Sequence, residues 1–206
     1  MSKTSLILHG HFYQPPRENP KTGIIPLQPS AAPWLDWNER IYSSCYCANL
    51  SSRYLDQNGR IISLTNNYAY ISFNFGATLL SWLDTHHPEV VDGLREADRM
   101  SIERLGHGNA MAQGFNHTIL PLDKKENAEL QIAWGVEDFI HHYKRDPEGM
   151  WLPECGVNET VIDLLVENGI KFIILSPWQC QFIENEQGNL VDLESSPAPY
   201  REPYIL

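Results

Sequence analysis

The chain has 206 residues, of which 42% are hydrophobic and 11% aromatic, with a formal net charge of −11. That length and composition suit one globular domain with a sizeable core and exclude a disordered chain. The acidic balance runs along the whole chain, which argues against nucleic acid and an anionic membrane surface as partners and leaves a neutral substrate such as a sugar compatible.

In chain order, Leu6-Ile7-Leu8 predicts a short buried strand that empties into a polar loop at His9-Gly10-His11. Residues 13–40 carry Pro15, Pro16, Pro20, Pro26, Pro29 and Pro33, which preclude a long helix. Trp34 and Trp37 favour an ordered loop there. Residues 70–75 alternate and read as a second strand. Leu79, Leu80 and Leu83 share one helical face over residues 76–84. Pro88 marks the first turn of a further helix with Val90, Val91, Leu94 and Ala97 as its stripe. Asp123-Lys124-Lys125-Glu126 has a capping-box pattern, so a helix should follow with Leu130, Ala133, Trp134 and Ile140 facing inward. Residues 149–153 form a short strand ending at Glu154. Asn158 caps the next helix, Asn168-Gly169 ends it, and residues 170–175 form another strand. Strands alternating with helices predict an α/β fold with a parallel sheet, as a barrel or an open sheet.

The four cysteines, Cys45, Cys47, Cys155 and Cys180, read as reduced thiols: the CxC pair is too close for an easy disulfide, and no second CxxC completes a zinc set. Met1-Ser2-Lys3 runs into only a short apolar stretch, unlike a signal peptide, and no apolar run approaches about 18 residues. A cytoplasmic protein without a membrane span, cofactor or metal is the expectation.

Three polar clusters follow strands or lie in loops, where parallel barrels place their active sites. They are residues 9–18, 106–117 and 151–156. In the third, Pro153 fixes the backbone before Glu154 and Gly156 frees it afterwards, with Trp151 beside them. Glu154 suits a nucleophile, base or ligand, or simply a charge at a helix N-terminus. His9 and His11 point to one side if they lie on a strand, as half of a metal site or as donors to sugar hydroxyls. His117 follows a loop with three glycines. Trp34, Trp37, Tyr68 and Tyr70 are core residues or stacking platforms. Arg17, Glu18, Asp36 and Glu39 are further possibilities. His86-His87 and His141-His142 read as surface pairs.

The same clusters resemble glycoside hydrolase family 57. Residues 9–15 are similar to its first motif, residues 116–122 to its second, and Trp151-Leu152-Pro153-Glu154-Cys155-Gly156 closely to its third, whose glutamate is the nucleophile. Gln28 to Pro33 and Ser72 to Gly76 resemble a little-characterised subgroup with an extra C-terminal region. Tyr13 stands where many members have the histidine of His-Gln-Pro. The resemblance implies a parallel (β/α)7-type barrel, incomplete in this chain. Residues 1–206 would be the N-terminal portion of the catalytic barrel, with the remainder C-terminal to them. It implies a retaining enzyme acting on an α-glucan or maltooligosaccharide, of amylase, 4-α-glucanotransferase or branching type. Glu154 would be catalytic, with His9, His11, Gln14, His117 and Trp151 binding substrate. The family's general acid is an aspartate on a later strand. Asp192, the last aspartate here, lies in a stretch that reads as a hairpin, so residues 1–206 alone are expected to be inactive. Two alternatives stand beside this: a metal-dependent, deacetylase-like hydrolase using His9, His11 and His117, and a non-catalytic glucan-binding protein of the same fold.

Overall fold

The computed structural model describes residues 6–185, 187–193, 196–199 and 203–204. Met1-Ser2-Lys3 and Glu194 lie outside them. The chain opens with strand β1 (His9–Phe12) and a long proline-rich loop. Helix α1 (Trp37–Ile41) follows, passing through one wide turn (Tyr42–Tyr46) into α2 (Cys47–Leu50). A hairpin comes next, β2 (Ser52–Leu55) and β3 (Ile61–Thr65), then β4 (Ser72–Phe75), α3 (Ala77–His86) and α4 (Pro88–Leu105). The second half runs β5 (Ala112–Gln113), α5 (Lys125–Tyr143), β6 (Gly149–Trp151), α6 (Glu159–Glu167), β7 (Phe172–Ile173), and a terminal hairpin of β8 (Phe182–Glu184) and β9 (Leu190–Asp192).

Five of these strands run parallel. β1 pairs with β4, and β5 with β6 and β6 with β7. A parallel bridge between Phe73 and Ala110 joins the two groups: the Phe73 amide donates to the Asn109 carbonyl at 3.0 Å, and the Met111 amide to the Phe73 carbonyl at 2.8 Å. The spatial order β1-β4-β5-β6-β7 therefore follows the chain, with helices or long loops as crossovers. Leu79, Leu80, Leu83, Val90, Leu94, Ile132, Met150 and Leu164 are buried in the core. No helix among the described residues is long and apolar enough to cross a membrane.

Several elements form for the reasons the sequence supplies. Pro88 begins α4 and left-handed Gly106 (φ 80°) ends it, with Val90, Val91, Leu94 and Ala97 buried as its stripe. Asn158 caps α6, its Oδ1 accepting from the Val161 amide at 2.9 Å. Residues 190–192 do form a hairpin strand.

Other expectations need correction. The first strand begins at His9, not at the exposed Leu6-Ile7-Leu8, so the histidines lie within it. The second begins at Ser72, because Asn67–Ala69 make a tight turn before it. The strand expected over residues 170–175 is reduced to Phe172–Ile173. α5 lacks its capping box: Asp123 accepts instead from the Thr118 hydroxyl. α5 is also rotated from the expected face. Leu130 and Trp134 are exposed, while Ala128, Ile132, Gly135, Phe139 and His142 are buried. Small residues decide this. A Cβ at Gly135 would lie 2.0 Å from the Gln113 carbonyl oxygen, so glycine lets the helix rest directly on β5.

The loop entering β5 is fixed by a buried ion pair. The Asp98 carboxylate accepts from Arg145 Nε at 2.8 Å and Nη2 at 2.9 Å, and its Oδ1 also accepts from the Ala110 amide at 2.8 Å. This bidentate contact joins α4, the end of α5 and the start of β5.

Candidate active site

Alternation along β1 and β4 turns Phe12, Phe73 and Phe75 toward the helices and His9, His11, Ser72 and Asn74 to the other face of the sheet. On that face a chain of hydrogen bonds crosses three strands. Ser72 Oγ lies 2.9 Å from His9 Nδ1, and His9 Nε2 lies 3.0 Å from Asn74 Oδ1. Asn74 Nδ2 donates to Gln113 Oε1 at 2.5 Å and lies 2.9 Å from His11 Nδ1. His11 Nε2 then meets His117 Nε2 at 3.1 Å. One proton arrangement satisfies all of these contacts with neutral rings. His9 carries its proton on Nε2, and His11 accepts at Nδ1 and donates from Nε2 to His117. Partial burial lowers the pKa of both His9 and His11, partly offset by Asn74, which agrees with neutral rings.

Aromatic faces close over this chain. Trp151 stacks on His9 at 5.2 Å and on His11 at 4.7 Å between centroids, and His117 stacks on Tyr13 at 4.0 Å. Among the described residues, Gln113 Nε2 and Trp151 Nε1 are buried donors without a hydrogen-bond partner. Both belong to the ends of neighbouring strands β5 and β6, where Gln113 and Trp151 are paired in register. Both donors lie beneath the site's surface, out of contact with solvent.

Glu154 follows β6 in a tight turn, Pro153–Cys155, and has a left-handed backbone (φ 54°, ψ 21°), as does Cys155 (φ 53°). For a non-glycine residue that conformation costs about 1 kcal/mol or more. Pro153 rests near Gly114, and Gly156 lies against Ile119 and Pro121. Gln179 Nε2 donates to the Cys155 carbonyl at 2.7 Å, so the turn is gripped from both sides. Glu154 itself is exposed, and no hydrogen bond to its carboxylate occurs among the described residues. Its negative charge reaches His11, where it favours the protonated ring, and Cys155, whose thiol pKa is raised mainly by burial and further by Glu154.

A family model described as Glycosyl hydrolase family 57 matches residues 12–203. The chain belongs to that family. Alpha-amylase 1 of Dictyoglomus thermophilum is 28% identical over 106 residues, covering 51% of this chain and 15% of that protein. The 4-alpha-glucanotransferase of Thermococcus litoralis is 25% identical over 108 residues, 52% of this chain and 16% of that one. The crystal structure of the latter superposes with a TM-score of 0.58 at 18% identity, covering 86% of this chain and 23% of that one. The alpha-amylase AmyC of Thermotoga maritima gives 0.57 at 14% identity, with 95% of this chain and 47% of that one covered. These structures support a shared mixed α/β fold. The matches span about one sixth of the curated relatives' length and less than half of either solved structure.

Against this family background, the structure brings His9, His11, His117 and Trp151 together, with Glu154 within electrostatic reach of His11. Gln14 stands apart from them. Its Nε2 donates to Tyr46 Oη at 3.1 Å and its Oε1 accepts from Arg17 Nη2 at 2.6 Å, so both ends are held by protein. Asp36 caps α1, Tyr68 is fully buried, and Arg17 supports Gln14 and Asn38. Sequence reasoning did not single out Asn74 or Trp178, and took Gln113 only as one member of the 106–117 cluster. The signal for Asn74 was a polar residue alternating with Phe73 and Phe75 in a buried strand, and its side chain proves wholly buried. Trp178 is 66% exposed beside Gln179, next to the Glu154 turn. The histidine pairs are not purely surface features either: His142 is buried, and His87 contacts Glu39 and Glu89.

Proposed function

We propose that residues 1–206 are the N-terminal portion of a parallel (β/α)7-type catalytic barrel acting on α-glucans with retention, and that Glu154 is its nucleophile. The observation that carries this reading is the Glu154 turn: a strained, externally braced backbone that presents an unbonded carboxylate beside a wall of histidine and indole. Its side chain would attack the anomeric carbon to form a glycosyl ester, which water or an acceptor sugar then resolves. Trp151 would stack on the sugar ring. Nδ1 of His117, whose Nε2 is held by His11, would engage its hydroxyls, and Gln14 would position the first loop without touching the sugar.

Retention needs a second carboxyl about 5–5.5 Å from the nucleophile, to protonate the leaving oxygen. In the family resemblance it lies on a later strand, so residues 1–206 alone should show little turnover. His9 and His11 use both ring nitrogens within the Ser72–Asn74–His117 chain, which weighs against the metal-hydrolase alternative and makes the two rings a scaffold for Trp151 and His117.

The test is product analysis of the full-length protein and its Glu154→Gln variant on a defined maltooligosaccharide. The parent should shorten or redistribute the glucan, and the variant should lose roughly 10³-fold or more in rate. Equal activity in both removes Glu154 from the mechanism, and robust cleavage by residues 1–206 alone refutes the incomplete-barrel reading.

A further inference from the structure

At the opposite end of the sheet, where the strands begin, the C-termini of α3 and α5 converge. Asp84 lies in the last turns of α3, and His141 and His142 in the last turn of α5. His142 is buried, with a side chain 4% exposed. Its Nδ1 lies 2.8 Å from the Asp138 backbone carbonyl, an acceptor, so that nitrogen carries a proton. Its Nε2 lies 2.9 Å from Asp84 Oδ2, also an acceptor. Nε2 and the carboxylate oxygen thus face one another across the contact, two donor types that one metal ion binds. His141 offers a third donor: one ligand atom from each of Asp84, His141 and His142 lies within 4.8 Å of the others, and the two imidazoles are nearly perpendicular at 83°.

From this geometry we propose a divalent transition-metal site, best matched to zinc, formed by Asp84, His141 and His142. Two nitrogens and one carboxylate oxygen are a donor set that zinc takes in tetrahedral form, with a fourth position for water. The Asp138 carbonyl supplies the outer hydrogen bond that fixes the tautomer of a ligating histidine, leaving Nε2 for the metal. Both helix C-termini turn partial negative charge toward the site, and the Asp138 carboxylate adds more at 3.5 Å from His142 Nδ1. The Arg95 guanidinium opposes this, but its Nε is spent on the His142 carbonyl at 2.7 Å and its Nη1 on Asp92 at 3.1 Å. Histidine ligates as the neutral ring, so affinity should fall as pH falls. Lying away from Glu154, such an ion would pin α3 to α5 as a structural clip.

The experiment is zinc titration of the full-length protein against a chromogenic chelator, with melting curves with and without zinc. His141→Ala and Asp84→Asn are chosen because both positions are partly exposed and spare the buried His142. His117→Ala separates this site from the histidines near Glu154. One zinc per chain is expected, with affinity reduced at least tenfold in His141→Ala and in Asp84→Asn and unchanged in His117→Ala. Zinc should raise the melting temperature of the parent and not of His141→Ala. No saturable uptake, uptake unaffected by both variants, or uptake lost only in His117→Ala would each overturn the site.

Discussion

Asn74→Ala removes the amide on which the histidine wall depends. Asn74 is fully buried, and its side chain meets His9, His11 and Gln113 at 3.0, 2.9 and 2.5 Å. Leaving a buried polar group unpaired costs about 1–3 kcal/mol. Gln113 is 5% exposed, so its orphaned carbonyl should cost about 2 kcal/mol. The two imidazoles are less buried and can regain water, which suggests about 0.5 kcal/mol each. The sum is about 3 kcal/mol, which for a chain of this size lowers the melting temperature by roughly 6–12 °C. Thermal and urea melts measure the loss, and nitrogen NMR of the imidazoles reads the tautomers directly. Parent His11 should show Nδ1 unprotonated, and the variant a mixture. A fall of less than about 2 °C with unchanged tautomers would refute the view that Asn74 orders these rings.

Three further outcomes follow from the packing and the charges. Asp98→Ala leaves the Arg145 guanidinium, 19% exposed, without its partner; it should destabilise by about 3–5 kcal/mol in urea melts, and a loss below about 1 kcal/mol would show that the pair does not hold the loop. Gly135→Ala adds helix propensity worth about 1 kcal/mol, yet its Cβ meets the Gln113 backbone oxygen at 2.0 Å; a net loss of about 2 kcal/mol is expected, and a gain would mean α5 rides higher on β5. His9 and His11 have folded pKa values below 6.5, so the unfolded chain binds more protons in the window just beneath that value. Their contribution to stability is flat above about pH 6.5 and is lost as pH falls below it. His11→Gln should flatten that slope in melts between about pH 5 and 7.5, and an unchanged slope would reject the assignment.

Much of the helical architecture could be read from the chain, because α4 and α6 carry their start signals and stripes locally: Pro88, Asn158 and Val90 need no distant partner to act. The face of α5 could not. Its large apolar residues pointed one way, while the backbone contact that decided the packing came through a glycine. The short strands were equally hard to bound, since β5 and β7 are two residues each and owe their existence to neighbours in the sheet. At the candidate site, His9, His11, His117, Trp151 and Glu154 stood out by residue type. Asn74 and Gln113 did not, because an amide becomes informative only once it is known to be buried. Nor could the sequence show that both ends of the Gln14 amide are held by Tyr46 and Arg17.

The left-handed turn at Glu154 also bears on how this protein would respond to selection. Glycine at that position would relieve backbone strain that glutamate bears. A library of variants ranked by folding alone should therefore enrich glycine at residue 154, and one ranked by glucan turnover should reject it. A position whose occupant lowers stability while being retained for chemistry is where the two rankings would diverge.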